Sequence, residues 1–267
     1  MTLFLSSLFA CALLACQYST EQSRINHNED QKEVWVYKTN SGTQISTRYS
    51  CPQRYARTEE DSLSFAFYLR HLPLKPDSVL VMYYNGETKA KSNVYDAVID
   101  MPISPKDLQQ CADAVMRLRG EYLFSVKHYS AIQFRFLGDG QYHSFVTYSN
   151  GQYTYPKFRA YMDFVFNYAN TASLKKQLKE KAYSEIAIGD VLIQSGQPYG
   201  HAVIVVDLCT NNEGQKKYML AQSYMPAQET QLLLNPENGT VWFTLDKQNE
   251  TIVTPEWVFT SKDLRTW

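Results

Sequence analysis

Gly189-Asp190-Val191-Leu192-Ile193-Gln194, the loop Gly196-Gln197-Pro198-Tyr199-Gly200, and His201-Ala202-Val203-Ile204-Val205-Val206-Asp207 decide the fold of this chain. Two apolar, β-branched runs flank a Gly/Pro loop, which is the pattern of an antiparallel pair. Asn211-Asn212-Glu213-Gly214 then reads as a turn, and residues 218–225 as a third strand. The spacing therefore predicts three consecutive antiparallel strands over 189–225, with His201 near the start of the middle one. Helical patterns dominate upstream. Helices first and a strand meander last make the class α+β, with helices packed on a mostly antiparallel sheet.

Working outward, residues 33–38 alternate as a strand and 61–72 read as a capped helix ended by Pro73. Residues 79–84 and 94–100 read as strands, the first turning at Asn85-Gly86. Ser104-Pro105 looks like a helix start, since Ser can cap and Pro suits the first helical position. That helix is expected to run to about Phe124, with Leu108, Cys111, Val115, Leu118 and Tyr122 on one stripe. Residues 131–136 and 142–148 pair as strands around Gly138-Asp139-Gly140, residues 156–170 form an aromatic helix, and Thr171 begins another.

The first fifteen residues carry no charged side chain, and the apolar run from Leu3 is too short to span a bilayer. It has the length of a signal-peptide core. It ends Leu13-Leu14-Ala15-Cys16, which resembles the lipobox of bacterial lipoproteins. The resemblance implies cleavage before Cys16 and acylation of that residue, enough for stable membrane anchoring. An ordinary cleaved signal, with Cys16 incidental, is the alternative. Residues 16–32 are polar and read as a flexible tether, leaving 33–267 as a single globular domain. The expected protein is exported and held to the cell envelope through lipid, facing the periplasm or on the outer membrane.

A formal charge of −1 gives no basic excess for neutralising phosphates, so nucleic acid is not an expected partner. The 20 tyrosines suit clefts and carbohydrate-facing surfaces, so candidate ligands are cell-wall peptides or glycans. Cys51, Cys111 and Cys209 leave either one disulfide and a free thiol or three thiols, and spacing does not choose. No Cys-x-x-Cys or His-x-x-x-His clip occurs, so neither a metal nor another cofactor is expected.

The hairpin Gly189-Asp190-Val191-Leu192-Ile193 and Gly200-His201 through Asp207 is similar to the histidine hairpin of NlpC-type and amidase-type cysteine peptidases. That resemblance implies a papain-like core, in which a helix bearing the Cys packs on a sheet bearing the His. It implies Cys111 as nucleophile, His201 as base and Gln222 as the residue that orients the imidazole. A neighbouring imidazole generates the attacking thiolate near neutral pH. If the last two strands pair across the 211–214 turn, Gln222 falls within about two residues of His201 at strand spacing. Of the other histidines, His27, His71, His128 and His143, none has the Gly-Asp hairpin context. Cys111 is preferred over Cys51 and Cys209 because it alone falls on a helix. In the resembling enzymes, however, the nucleophile opens its helix; here Cys111 falls some six residues in, where a small buried core residue is the competing account.

Longer segments resemble a bacterial envelope family, domain of unknown function 4846. They are residues 107–119, Gly189-Asp190-Val191-Leu192-Ile193, residues 200–207, Leu220-Ala221-Gln222-Ser223-Tyr224-Met225-Pro226-Ala227-Gln228, and Thr254-Pro255-Glu256-Trp257. Asp113, Arg117, Asp190, Ser223 and Tyr224 are candidate site-lining residues. Asp113–Arg117 and Arg117–Glu121 have the i,i+4 spacing of helix ion pairs. A non-catalytic binding lipoprotein on the same scaffold is the competing functional account, because fold does not fix function.

Mass spectrometry of the N-terminus from native membranes is expected to find a diacylglyceryl modification and an amide-linked acyl chain on Cys16. An unmodified terminus at any other residue would rule out the anchor.

Overall fold

The computed structural model describes residues 37–89, 92–196, 198–246 and 250–267, all within one unit of 36–267. The expected signal sequence over 1–15, acylation at Cys16 and tether over 16–32, and most of the strand expected at 33–38, lie outside the described residues. Chain order runs α1 (Ile45–Arg48), β1 (Tyr55–Arg57), α2 (Phe65–Arg70), β2 (Tyr95–Val98) and α3 (Cys111–Ser125). It continues with β3 (Gln133–Arg135), β4 (Tyr142–Ser144), α4 (Phe145–Ser149), α5 (Tyr155–Tyr168), α6 (Thr171–Gln177) and β5 (Lys179–Glu180). Then come β6 (Val191–Gln194), β7 (His201–Asn211), β8 (Lys216–Gln222), β9 (Gln231–Leu233) and β10 (Phe243–Thr244). β11 (Thr251–Val253), β12 (Val258–Thr260) and β13 (Leu264–Thr266) complete it.

The three strands of the 189–225 segment form as β6, β7 and β8, antiparallel throughout, with His201 opening the middle one. They sit at the centre of a nine-stranded sheet ordered β2-β9-β8-β7-β6-β13-β5, with β1 also on β7 and β10 on β8. Every pairing within this sheet is antiparallel. The class is α+β. From His201 to Cys209 every residue of β7 is buried. Such a strand reads as a continuous apolar run because both its faces are covered. One face carries Val203 and Val205 into a core with Leu192, Leu220, Val98 and Phe259. α3 and α2 pack against the same strand.

Several local expectations yield to tertiary contacts. The long helix begins at Cys111, not near Ser104. The Asp107 carboxylate accepts from the Ala227 N–H (2.7 Å) and from Gln110 Nε2, and Ser223 Oγ donates to the Gln109 carbonyl. These bonds hold residues 107–110 in a non-helical path that ends at Gln110, whose φ and ψ of −96° and −160° are extended. The helix expected over 61–72 shortens to α2, because Asp61 turns the chain by accepting from the Leu63 N–H and Ser64 becomes the cap. The strand expected over 79–84 is reduced to isolated bridges, Met82 with Thr88 and Tyr83 with Gln228. The return strand expected over 142–148 stops at Ser144, whose hydroxyl caps α4 by accepting from the Thr147 N–H.

Two links tie the N-terminal segment to β7. Cys51 and Cys209 form a disulfide across 158 residues, leaving Cys111 as the free thiol among the described residues. Asp207, fully buried, accepts from Arg57 Nε through Oδ2 and from Arg70 Nε through Oδ1, both at 2.7 Å. Each guanidinium also reaches a backbone carbonyl, Arg57 that of Tyr49 and Arg70 that of Thr58. Val206 is the extra residue of a bulge between Val205 and Asp207, and the bulge resets the register of β7 just before this carboxylate.

Asp207→Asn would leave two guanidiniums without their counter-charge. It is expected to destabilise the fold by about 3–5 kcal/mol, the range for breaking a buried ion pair from one side. Urea denaturation measures this. A loss under about 1 kcal/mol would mean that solvent screens the cluster.

Candidate active site

The corrected helix start changes the position of Cys111. It is the first residue of α3, where the initial backbone N–H groups have no helical acceptor and the helix dipole favours negative charge. Its sulfur lies 3.8 Å from the carbonyl oxygen of Gly200 and 3.9 Å from Thr171 Oγ1. The backbone N–H of Ala202 also points at it, so the sulfur is flanked by both chain neighbours of His201. The sheet explains why that edge is free. Extending the pairing of Ile204 with Ala221 would set Ala202 opposite Ser223, one residue past the end of β8. The thiol occupies the edge that β8 vacates. Gly200 is required by the close return of the chain on Gln194: a Cβ there would stand 2.2 Å from the Gln194 carbonyl oxygen, so no other residue fits.

His201 is fully buried, and its Nε2 is 2.8 Å from Gln222 Oε1. Gln222 Nε2 in turn donates to Glu256 Oε2 at 2.7 Å. A carboxylate only accepts, so the amide nitrogen must face Glu256 and the amide oxygen must face the ring. His201 therefore carries its proton on Nε2 and keeps the Nδ1 lone pair. Nδ1 is buried and has no hydrogen-bond partner among the described residues. Lys89 anchors the far end of the relay, its Nζ 2.8 Å from Glu256 Oε2 and 2.9 Å from Gln228 Oε1. Tyr224, Trp257 and Phe259 surround the imidazole, with ring centroids 4.9, 5.3 and 5.9 Å away. Trp257 is held by its own bond, Nε1 to Gln194 Oε1 at 3.0 Å.

Burial sets the electrostatics. It lowers the His201 pKa to about 4; the Gln222 bond opposes the shift and the Lys89 charge adds to it. Burial also pushes the Cys111 thiol up, with Asp113 adding to the rise and the contacts to Thr171, Ala112 and Ala202 opposing it. The thiol and the imidazole are thus both neutral at rest. A cavity of about 200 Å³ opens beside Cys111, bounded by Asp113, Asn170, Thr171, Tyr199 and Met225.

The other candidate residues divide. Asp113 lines this cavity; burial raises its carboxyl to about 8 against the pull of the Gln110 N–H, and Oδ1 has no partner among the described residues. Tyr224 packs on the imidazole. Ser223 is a buried tie, its hydroxyl donating to the carbonyls of Gln228 and Gln109. Asp190 is not brought to the site: it precedes β6, whose other end faces His201, and pairs there with Lys181 Nζ at 2.6 Å. Arg117 faces a different cavity. Of the two helix pairs, Arg117 meets Glu121 at 2.6 Å, whereas Asp113 instead accepts from the Gln110 N–H. Lys89, Thr171, Glu256 and Trp257 went unidentified from sequence. Only the last two carried a signal, inside the segment Thr254-Pro255-Glu256-Trp257. Among the described residues no three His, Cys, Asp or Glu side chains converge as a metal site.

The profile of the family described as Domain of unknown function (4846) matches residues 45–266. No curated protein matches the chain, and no solved structure does.

The buried imidazole makes stability pH-dependent. Unfolded, His201 titrates near 6.5; folded, near 4. Between these values the unfolded chain takes up a proton that the folded chain refuses. The contribution of His201 is fully present above about pH 6.5 and lost as pH falls towards 4, about 3 kcal/mol in all. Urea midpoints from pH 7 to 4 should fall less steeply in His201→Gln than in the wild type. Parallel curves would show that His201 is not buried as a neutral base.

Proposed function

We propose, from the premise that this chain belongs to the family described as Domain of unknown function (4846), that it is a cysteine hydrolase of peptide or amide bonds in the cell envelope. One observation carries the reading. The free thiol opens a helix beside the histidine strand, and that histidine is held in the tautomer whose unpartnered nitrogen can take a proton. Helix α3 on a sheet bearing His201, with Gln222 on the neighbouring strand, supports a papain-like arrangement.

The chemistry follows from the protonation states. As substrate enters, the Cys111 proton passes from Sγ to His201 Nδ1, and the thiolate attacks the amide carbonyl carbon. Charge develops on the carbonyl oxygen, which the Cys111 N–H at the head of α3 is free to stabilise. The imidazolium then gives its Nδ1 proton to the departing amine as the C–N bond breaks, leaving a thioester on Cys111. Water, deprotonated by the same Nδ1, releases the acid and restores the thiol. Gln222 keeps the ring in register through both proton transfers, with Glu256 and Lys89 behind it. Excluding water strengthens the ion pair formed in mid-reaction.

The Cys51–Cys209 disulfide supports export, since structural disulfides persist in oxidising compartments. With the signal-like residues 1–15 and Cys16, it fits a lipoprotein tethered through 16–32 to the envelope, where cell-wall peptides or glycans are at hand. One observation favours the second reading, a binding lipoprotein on an idle peptidase scaffold: Cys111 is only 5% exposed.

Alkylation separates the two. Iodoacetamide should modify native wild-type protein at Cys111, and His201→Ala should slow the reaction at pH 7 at least tenfold, roughly the lower range for loss of a positioned base. Cys111→Ser should abolish labelling and release of cell-wall stem-peptide fragments while moving the melting temperature by only a few degrees. A thiol that reacts only on unfolding, in a protein that still binds those peptides, would establish the binding role instead.

A further inference from the structure

A second cavity, of about 350 Å³, lies between α3 and α5 and shares no lining residue with the cavity at Cys111. Its charged wall is Arg117, Arg159 and Asp163, and Pro102, Ile103 and Ala160 provide apolar surface. Most charges around it are already matched. Arg117 Nε donates to Glu121 at 2.6 Å, Nη1 to Gln109 Oε1 at 2.8 Å, and Nη2 reaches the Tyr155 hydroxyl at 3.4 Å. Glu121 also accepts from the Tyr155 hydroxyl at 2.9 Å, and Asp163 pairs with Lys106 at 3.1 Å.

Arg159 is left over. Among the described residues its Nη1, shielded from water, has no hydrogen-bond partner, and the guanidinium forms no ion pair. Partial burial and the neighbouring Arg117 charge both disfavour its cation, with Glu121 and Asp163 only partly offsetting them. A buried donor without an acceptor is destabilising, more so when it is charged. A protein does not gain stability from two guanidiniums on one cavity wall with one of them unpaired. A guanidinium fork does match the two oxygens of a carboxylate or phosphate.

We propose that this cavity is a ligand site in which Arg159 binds the oxyanion, a carboxylate or phosphate, of a small molecule whose short apolar body lies on Pro102, Ile103 and Ala160. The site is independent of the hydrolase reading, because no group at Cys111 or His201 takes part.

The test is thermal melting of the full chain at constant ionic strength with n-butyrate, n-butyl phosphate or inorganic phosphate, and with butyramide as the uncharged control. A site with a Kd near 1 mM should raise the melting temperature by about 3–5 °C at 10 mM ligand. At least one butyl anion should do so, and butyramide should not. Arg159→Met should abolish the shift while leaving the ligand-free melting temperature unchanged or higher, since it removes an unpaired charge. Arg159→Lys should keep part of the shift and Cys111→Ser all of it. Protection by butyrate, butyl phosphate or both identifies the oxyanion class. No shift with any anion, a shift that survives Arg159→Met, or an equal shift from butyramide would overturn the proposal. If Arg159→Met does not melt cooperatively, Arg159→Gln replaces it under the same criteria.

Discussion

Strand β7 is buried on both faces, and a polar group inside it must find a partner or cost several kcal/mol. Asp207 meets that constraint with two arginines from different parts of the chain, one on β1 and one on α2. The consequence is positional. The pair of guanidiniums fixes where the segment from Tyr49 to Arg70 lies on the sheet, and the Cys51–Cys209 disulfide pins the same segment two residues further along the strand. With its C-terminal half clamped, β7 holds its N-terminal half as a rigid mount. The candidate site occupies that other end, where Gly200 and Ala202, the chain neighbours of His201, meet the sulfur of Cys111.

The site is organised by acceptor and donor counting rather than by one strong contact. Glu256 can only accept, Lys89 can only donate, and the amide of Gln222 lies between carboxylate and ring with one orientation left to it. The tautomer of His201 follows from charges two residues removed from the imidazole. Trp257 is fixed in the same way through Gln194, whose own amide donates to Asp263 Oδ2 at 2.6 Å. Residues 254–263 thus brace the histidine by two routes. This accounts for the presence of a Pro-Glu-Trp segment beside the hairpin.

The central hairpin was legible because its signals are local. Apolar β-branched runs, a Gly/Pro loop and an Asn-rich turn each act within a few residues, and the contact of Gln222 with His201 follows once the turn sets the register. The start of α3 was not legible for the opposite reason. Ser104-Pro105 is a good local start, but Asp107, Gln109 and Gln110 are bonded to residues 223 and 227 or to one another. A six-residue error there turns a core-like cysteine into one that opens a helix, so the chemical meaning of Cys111 depended on contacts more than a hundred residues away. Lys89 had no sequence signal at all, because its role exists only once residues 228 and 256 are brought to it.

The neutral state of the thiol and imidazole follows from the same burial that positions them. A permanently charged thiolate and imidazolium would both be poorly solvated here, since among the described residues Nδ1 has no hydrogen-bond partner and Cys111 is only 5% exposed. Two neutral groups can be buried at little cost, and in the proposed reaction the charges need exist only after the proton has moved between them. In that state each ion is the other's counter-charge. The N-terminus of α3 favours the sulfur anion, and the Gln222 oxygen, held by the Glu256 relay, favours the imidazolium. In the proposed hydrolase, such an arrangement would resist ionisation at rest and favour it only once a substrate made the proton transfer productive, which would confine the reactive thiolate to the time when there is something to attack.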